Sequence, residues 1–232
     1  MESRAIGALI FDLDGLLVDS EPLAARAMDR FLKSFGIEQD PVVQAQLLGR
    51  RLQEAIAICQ GGYALPGTLE DLTLRYGQMR IDALRGAVKA MPGAHEIIAL
   101  GRQLDLPIAL ATSGMREHAN ISLVETGLAG KFDAEVTGDE VERGKPAPDL
   151  FLLAAERLGA APGTAIVFED SPLGVEAGIA AGMSVVAVEG GRTVLPGFPV
   201  PPTVFVSTLF EGMNWVKEQD IKIETAKSSE RC

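Results

Sequence analysis

The chain has 232 residues, of which 47% are apolar and 23% are charged, and its formal net charge is −11. This length predicts one domain, or one domain with a large insertion, and the composition excludes a disordered chain, a collagen-like repeat and a disulfide scaffold. The acidic balance argues against nucleic acid and anionic membranes as partners, and no apolar run reaches the roughly 18 residues of a membrane span.

The chain opens with a short apolar run at residues 6–11, which predicts a buried strand. The following segment, as far as residue 90, shows helical patterns and no convincing strand. These patterns lie near residues 21–35, 41–49, 50–60 and 68–90. Ser20 and Pro22 mark the start of the first helix, as its N-cap and its first turn.

From residue 91 onward, helical patterns alternate with short apolar runs. The helical patterns lie at 93–104, 115–126, 148–158 and 172–181, and the strand-like runs at 107–111, 165–168, 184–188 and 203–206. This alternation predicts an α/β fold with a Rossmann-like parallel sheet and helices on both faces. We therefore predict an α/β core of residues 1–15 and 91–232, and an all-helical cap domain of residues 16–90 inserted after the first strand. The inserted segment holds nine acids and nine bases, so the core carries the whole negative excess.

The first strand ends in Asp12-Leu13-Asp14-Gly15. Ligands of open α/β sheets bind at the carboxyl ends of the strands. Aspartates at i and i+2 of an extended chain point to the same side, about 6.6 Å apart along the strand. The motif alone leaves two interpretations open, a reaction centre and a strand end closed by turn-forming aspartates.

Three further motifs follow later strands or adjoin them. Thr112 and Ser113 precede a helix and suit an anion site, Lys145 lies in a proline-flanked loop, and Glu169 with Asp170 suits a hard cation such as Mg²⁺. Each also has an ordinary structural explanation, such as helix capping or a solvated loop. Together they place four acidic side chains, hydroxyl groups and a lysine around one point, which predicts a metal-assisted reaction on a phosphate.

These motifs resemble those of the haloacid dehalogenase superfamily, in the branch of β-phosphoglucomutase-like phosphatases. The residues that carry the resemblance are Asp12-Leu13-Asp14-Gly15, Ala111-Thr112-Ser113, Lys145-Pro146, and Glu169-Asp170-Ser171 with Gly174 and Ala177-Gly178. The helical insert matches the position of the small cap domain of that family.

The resemblance implies a role for each residue of the site. Asp12 would be the nucleophile that forms an aspartyl-phosphate, and Asp14 would protonate the leaving alcohol and then activate water. The phosphate oxygens would be held by Thr112 and Ser113, and Lys145 would screen the charge between nucleophile and phosphate. The Mg²⁺ ligands would be Asp170, the Asp12 carboxylate and the Asp14 backbone carbonyl, with Glu169 acting through a metal-bound water.

Asp14 must carry a proton when the alkoxide leaves. We therefore expect its pKa to be raised by the neighbouring carboxylates or by closure of the cap. The presence of Asp14 argues against a dehalogenase, since an ester leaving group there needs no proton. The intact acidic set likewise argues against a non-catalytic binding protein on the same fold.

A phosphomutase of the same branch is the main alternative to a phosphatase. Its members place a histidine early in the first cap helix, where this chain has Ala24, and an arginine near the position of Leu52. The two histidines of the chain, His95 and His118, are expected to lie at the surface. We therefore predict that no group replaces the cap histidine and that the product is inorganic phosphate.

The substrate is expected to be a small phosphorylated metabolite, such as a sugar or nucleoside phosphate. Glu21, Arg50, Arg51 and Tyr76 are the cap residues proposed to choose it. The cysteines, Cys59 and Cys232, are not expected to pair, and the N-terminal residues lack the pattern of a secretory signal. We therefore expect a cytoplasmic protein, acting as a monomer.

Overall fold

A computed structural model describes residues 6–189 and 197–229, with residues 220–229 as backbone only. Six strands form one parallel sheet in the order β3-β2-β1-β4-β5-β6. The strands are β1 (Ala8–Phe11), β2 (Ile108–Ala111), β3 (Ala134–Val136), β4 (Ala165–Glu169), β5 (Ser184–Val188) and β6 (Val204–Val206). The sheet confirms the predicted α/β class.

Five helices come after the inserted segment in the chain and cover the sheet. They are α5 (Ala94–Gln103), α6 (Arg116–Glu125), α7 (Asp149–Leu158), α8 (Pro172–Ala180) and α9 (Leu209–Ser229). Four more lie between β1 and α5, namely α1 (Glu21–Lys33), α2 (Pro41–Ala45), α3 (Leu52–Tyr63) and α4 (Leu69–Leu84). We call residues 16–90, which carry these four, the helical insert. Among the described residues, none of the helices combines the length and apolar character that crossing a membrane requires.

The central strands β1 and β2 are apolar and buried throughout because both faces of the sheet are covered there. In β1, Leu9 and Phe11 pack with α5, α6 and α9 on one face, while Ala8 and Ile10 pack with α7 and α8 on the other. The helical insert has a core of its own, in which Phe31 of α1 packs against Tyr76 of α4. The sheet therefore holds its strand ends rigidly, beneath a separately packed helical layer.

The strands and helices depart from the sequence prediction in two places. The strand β3 and the helix α9 have no counterpart in the sequence prediction. β3 has only three residues, one of them Glu135, and its apolar run is too short to recognise. Of the predicted surface histidines, His95 is exposed on α5, whereas His118 is buried on α6. Cys59 is buried in α3, and Cys232 lies outside the described residues.

Candidate active site

The register of the sheet brings three strand ends to one level. Phe11 at the end of β1 pairs with Leu110 of β2 and with Phe168 of β4. Asp12, the next residue, donates its backbone N–H to the Phe168 carbonyl at 3.1 Å. As a result Asp12 and the residues after β2 and β4 line one cavity of about 310 Å³ between the sheet edge and the helical insert. The predicted residues in its wall are Asp12, Asp14, Thr112, Ser113, Lys145 and Asp170.

Lys145 reaches the cavity from the loop before α7 and is only 3% exposed. Its ammonium group donates to Asp12 Oδ1 and to Glu169 Oε1, both at 2.5 Å, and lies 5.0 Å from the centre of the Phe151 ring. Burial alone would lower the pKa of Lys145, but the charges of Asp12 and Glu169 outweigh burial and raise it. Lys145 is therefore a fixed positive charge held against Asp12.

Glu169 is fully buried behind this lysine. Its Oε2 accepts the backbone N–H groups of Asp170 and Ser171, both at 2.8 Å, and the Ser171 hydroxyl at 3.0 Å. Its Oε1 accepts from Lys145. Protein donors engage both oxygens, so in this arrangement Glu169 fixes Lys145 and the start of α8. The role of Glu169 through a metal-bound water stays a prediction.

Carboxylate oxygens of Asp12, Glu169 and Asp170 lie within 4.8 Å of one another, all buried. The charges of these three carboxylates and one ammonium group sum to −2, and burying a net charge is costly away from water. Accordingly, burial raises the pKa of the Asp12 carboxyl to about 8, although the Lys145 charge opposes this. A divalent cation would balance the charge, and an all-oxygen ligand set suits a hard cation such as Mg²⁺. The residues present therefore fit the predicted metal.

Asp14 lies beyond β1, where Gly15 adopts a φ of 80° and the chain turns back on itself. Its Oδ1 accepts the Ser20 hydroxyl at 2.5 Å, and His118 Nε2 lies 2.8 Å from the same oxygen. Burial would raise the pKa of Asp14, but the charge and hydrogen bond of His118 outweigh it, helped by Arg80, so the pKa is lowered. The expectation that neighbouring carboxylates raise this pKa was wrong, because the nearest groups are donors and cations. A raised pKa on closure of the cap stays a prediction.

His118 also corrects two other predictions. It is 5% exposed, not a surface residue, because α6 lies across the sheet edge with this side chain facing Asp14. The prediction that no group replaces the cap histidine was also wrong, since Ser20 and His118 both hold Asp14. Sequence reasoning missed these two residues and Arg80, which also lines the cavity. The one available signal was the position of His118, in the first turn of a helix that follows the Thr112-Ser113 loop.

The helical insert forms the other wall of the cavity. Of the four candidates for substrate choice, Glu21, Arg50 and Tyr76 line it, together with Gln39, Gln44 and Ala24. Arg51 instead donates to the backbone carbonyls of Val141 and Glu142, both at 3.2 Å, in the loop that leads to Lys145.

A second contact joins the helical insert to the core at the predicted phosphate loop. The Ser113 hydroxyl donates to the Gly49 carbonyl at 2.9 Å, while Thr112 Oγ1 accepts the Gly114 N–H at 3.0 Å. Ser113 therefore lines the cavity with its hydroxyl bound to the insert.

Known proteins with similar sequences show the family of the chain. The sequence model of the family described as "Haloacid dehalogenase-like hydrolase" matches residues 9–188. A phosphorylated carbohydrates phosphatase of Thermotoga maritima is 34% identical over 176 residues, which cover 76% of this chain and 82% of that one. Hexitol phosphatase A of Escherichia coli is 34% identical over 179 residues, which cover 77% and 81%.

Solved structures show the same fold. A hydrolase from Pseudomonas syringae has 25% identity and a TM-score of 0.80, covering 91% of this chain and 98% of that one. The β-phosphoglucomutase of Clostridium difficile has a TM-score of 0.81 over 95% and 99%, and at 20% identity it supports the fold alone. With the family match and the phosphatase relatives, the chain belongs to the haloacid dehalogenase-like hydrolases and is a phosphatase of that family.

Proposed function

We propose that this phosphatase hydrolyses a small phosphorylated metabolite through an aspartyl-phosphate on Asp12, with Mg²⁺ bound at the buried carboxylates. The observation that carries the proposal is Lys145, whose buried ammonium group joins Asp12 to Glu169 with two contacts of 2.5 Å. A carboxylate repels a phosphate dianion unless fixed positive charge lies between them. The site supplies that charge at the nucleophile itself.

The reaction has two steps in this proposal. First, an Asp12 oxygen attacks phosphorus while the bond to the alcohol breaks. In this proposal Asp14 takes up a proton when the negatively charged substrate binds, and gives that proton to the leaving oxygen. Second, water attacks the phosphorus of the aspartyl-phosphate, Asp14 takes the proton of that water, and Asp12 is released with inorganic phosphate. Dividing the displacement in this way replaces one difficult step with two easier ones.

Asp12 and Asp170, with the Asp14 backbone carbonyl, are proposed to hold Mg²⁺, which when bound supplies positive charge for the phosphate oxygens. Lys145 keeps its contact with the nucleophile, and Glu169 keeps Lys145 in place. Thr112 and Ser113 are proposed to hold phosphate oxygens at the start of α6.

The proposed substrate is a phosphorylated sugar or polyol, and residues 16–90 are proposed to act as its cap domain. Gln39, Gln44 and Arg50 line the insert side of the cavity, where amide and guanidinium groups suit hydroxyl-bearing substrates. Relatives named for phosphorylated carbohydrates and for hexitols support this choice.

A phosphomutase uses the same first step and differs only in what accepts the phosphate. Ser20 and His118 hold Asp14, so the missing cap histidine at Ala24 no longer separates the two reactions. The names of the relatives favour hydrolysis.

The test is a panel of phosphorylated sugars, polyols and nucleosides with Mg²⁺, in which release of inorganic phosphate is measured. Asp12→Asn serves as the control, and we expect turnover of one or more sugar or polyol phosphates by the unmodified protein alone. Substantial turnover by a clean Asp12→Asn preparation would overturn the nucleophile. Phosphorus NMR with β-glucose 1-phosphate and a trace of glucose 1,6-bisphosphate would reveal a mutase, if glucose 6-phosphate accumulated faster than free phosphate.

A further inference from the structure

The two side chains that hold Asp14 both contact the same oxygen, Oδ1. The Ser20 hydroxyl lies 2.5 Å from it and His118 Nε2 lies 2.8 Å from it. An ionised carboxylate only accepts hydrogen bonds, so both neighbours act as donors to it. The other oxygen, Oδ2, lies beside Gly114, where a Cβ would stand 3.6 Å away, and Gly114 lines the cavity. The carboxyl group is thus fixed through Oδ1, and Asp14 lines the cavity.

The contact of Ser20 is made at the expense of helix capping. Ser20 is the N-cap residue of α1 and is 2% exposed, yet within the described chain its side chain caps no backbone N–H group of that helix. A serine at this position normally stabilises the helix through such a bond. Its hydroxyl is instead directed to Asp14, which indicates that holding this carboxyl group takes precedence over local stability.

The contact of His118 comes from the core and not from the helical insert. His118 lies in the first turn of α6, and the close approach is possible because residue 114 is a glycine, whose Cβ would stand only 3.0 Å from His118 Cδ2. Ser20 belongs to the helical insert, whereas α6 packs on the sheet. The hydrogen bond between His118 and Asp14 therefore joins two groups of the core.

We propose that His118 is a positioning residue for Asp14, fixing Oδ1 so that Oδ2 is the atom that passes the proton to and from the substrate oxygen. This inference rests on the proposed function, because it assigns the geometry of its proton donor. Proton transfer requires the donor within hydrogen-bond reach of the reacting oxygen, and a carboxyl group free to rotate would lose that geometry.

Leaving-group chemistry separates positioning of Asp14 from a purely structural role. An alkyl alcohol leaves only with a proton, whereas p-nitrophenolate is stable without one. The value of kcat/KM reports the steps up to departure of the leaving group, which is before Asp14 activates water. Loss of His118 should therefore reduce kcat/KM for an alkyl phosphate and largely spare p-nitrophenyl phosphate, while a disordered site would affect both equally.

The experiment compares His118→Leu with His118→Gln, using p-nitrophenyl phosphate and the best alkyl phosphate of the panel. Glutamine can place an N–H donor where Nε2 lies, and leucine cannot. We expect His118→Leu to lower kcat/KM for the alkyl phosphate about 30-fold and for p-nitrophenyl phosphate less than about threefold. The larger loss is below the roughly 100-fold or more that a general acid contributes, because Asp14 itself is still present. We expect His118→Gln to recover most of the loss, and His95→Gln, on the exposed side of α5, to change neither value.

Several outcomes would overturn the inference. The first is an equal loss of kcat/KM for both substrates in either variant, and the second is unchanged kcat/KM in His118→Leu. The third is a further loss of kcat/KM for the alkyl phosphate when His118→Leu is added to Asp14→Asn. If His118→Leu does not fold, His118→Gln decides: a remaining loss of kcat/KM confined to the alkyl phosphate supports the hold, and an equal loss for both substrates opposes it. The proposed function fails separately, through residual turnover in Asp12→Asn, so the two failures are distinguishable.

Discussion

Gly174 in α8 provides the space that the buried glutamate needs. A Cβ at this position would lie 1.7 Å from Glu169 Oε1 and 2.0 Å from its Cδ, so alanine cannot coexist with the present carboxylate position. Four protein donors fix that carboxylate, and its displacement breaks the buried contact with Lys145. We estimate about 3–5 kcal/mol for the broken pair, less about 1 kcal/mol gained in helix propensity, which leaves about 3 kcal/mol net.

We expect Gly174→Ala to lower Tm by roughly 10 °C, at the few degrees per kcal/mol typical of this chain length. Because Lys145 loses its contact with Glu169, we also expect kcat/KM to fall at least about 100-fold, as when one hydrogen-bond donor at a reacting group is lost. Both are measured on folded protein, by thermal melting monitored with circular dichroism and by phosphate release well below Tm. The control is Gly61→Ala in α3, where a Cβ meets open space, and we expect unchanged activity and equal or higher Tm. A Gly174→Ala protein with normal Tm and full activity would refute the reasoning.

Three other predictions follow from the buried charges and from burial of a thiol. Asp12→Asn should abolish phosphate release while leaving Tm without metal equal or higher, because it removes one of three mutually repelling carboxylates while Glu169 still pairs with Lys145; a large fall in Tm would contradict this. Excess chelator should stop turnover, and added Mg²⁺ should restore it. Mg²⁺ should also raise the Tm of the unmodified protein but not that of Asp170→Ala. Full activity in the presence of chelator would exclude the metal. Burial raises the pKa of the Cys59 thiol to about 11. In a Cys232→Ser protein, Cys59 should therefore resist thiol reagents at pH 8 until the protein unfolds. Rapid labelling of Cys59 in the folded protein would contradict this prediction.

The fold was predictable because its signals are local and repeated. Buried strands such as β5 and β4 are continuous apolar runs, and the helices have apolar positions at helical spacing. Motifs at or near the ends of such strands meet at one edge of a parallel sheet, so the sequence alone predicts that Asp12, Lys145 and Asp170 lie together. β3 was missed because it has only three residues, one of them the charged Glu135. The backbone carbonyl of Glu135 accepts hydrogen bonds from side chains of α6 and α7.

The environment of Asp14 was not predictable in the same way. The sequence shows which acids lie near one another, but not which donors the fold directs to each oxygen. His118 is 104 residues away from Asp14 in the chain, and whether it faces solvent or the sheet edge depends on how α6 packs. The sign of the pKa change follows from that packing, so counting neighbouring carboxylates gave the wrong direction.

The contacts of the site divide between the core and the helical insert in a way that bears on specificity. The bonds among Asp12, Lys145 and Glu169 lie wholly within the core, and so does the contact of His118 with Asp14. The insert contacts the core through Ser20, which donates to Asp14, and through Gly49 and Arg51, which bind the loops carrying Ser113 and Lys145.

The insert side of the cavity, with Gln39, Gln44 and Arg50, can therefore change without disturbing any hydrogen bond of the reacting groups. Arg50 illustrates this, since its Nε donates to the Gln46 carbonyl within the insert itself. In the proposed reaction the core would supply chemistry common to all phosphate monoesters, while the insert would supply the contacts to the rest of the substrate. On this proposal, relatives within one family can be named for different phosphorylated compounds, because the substrate would be recognised by a layer that packs around a core of its own.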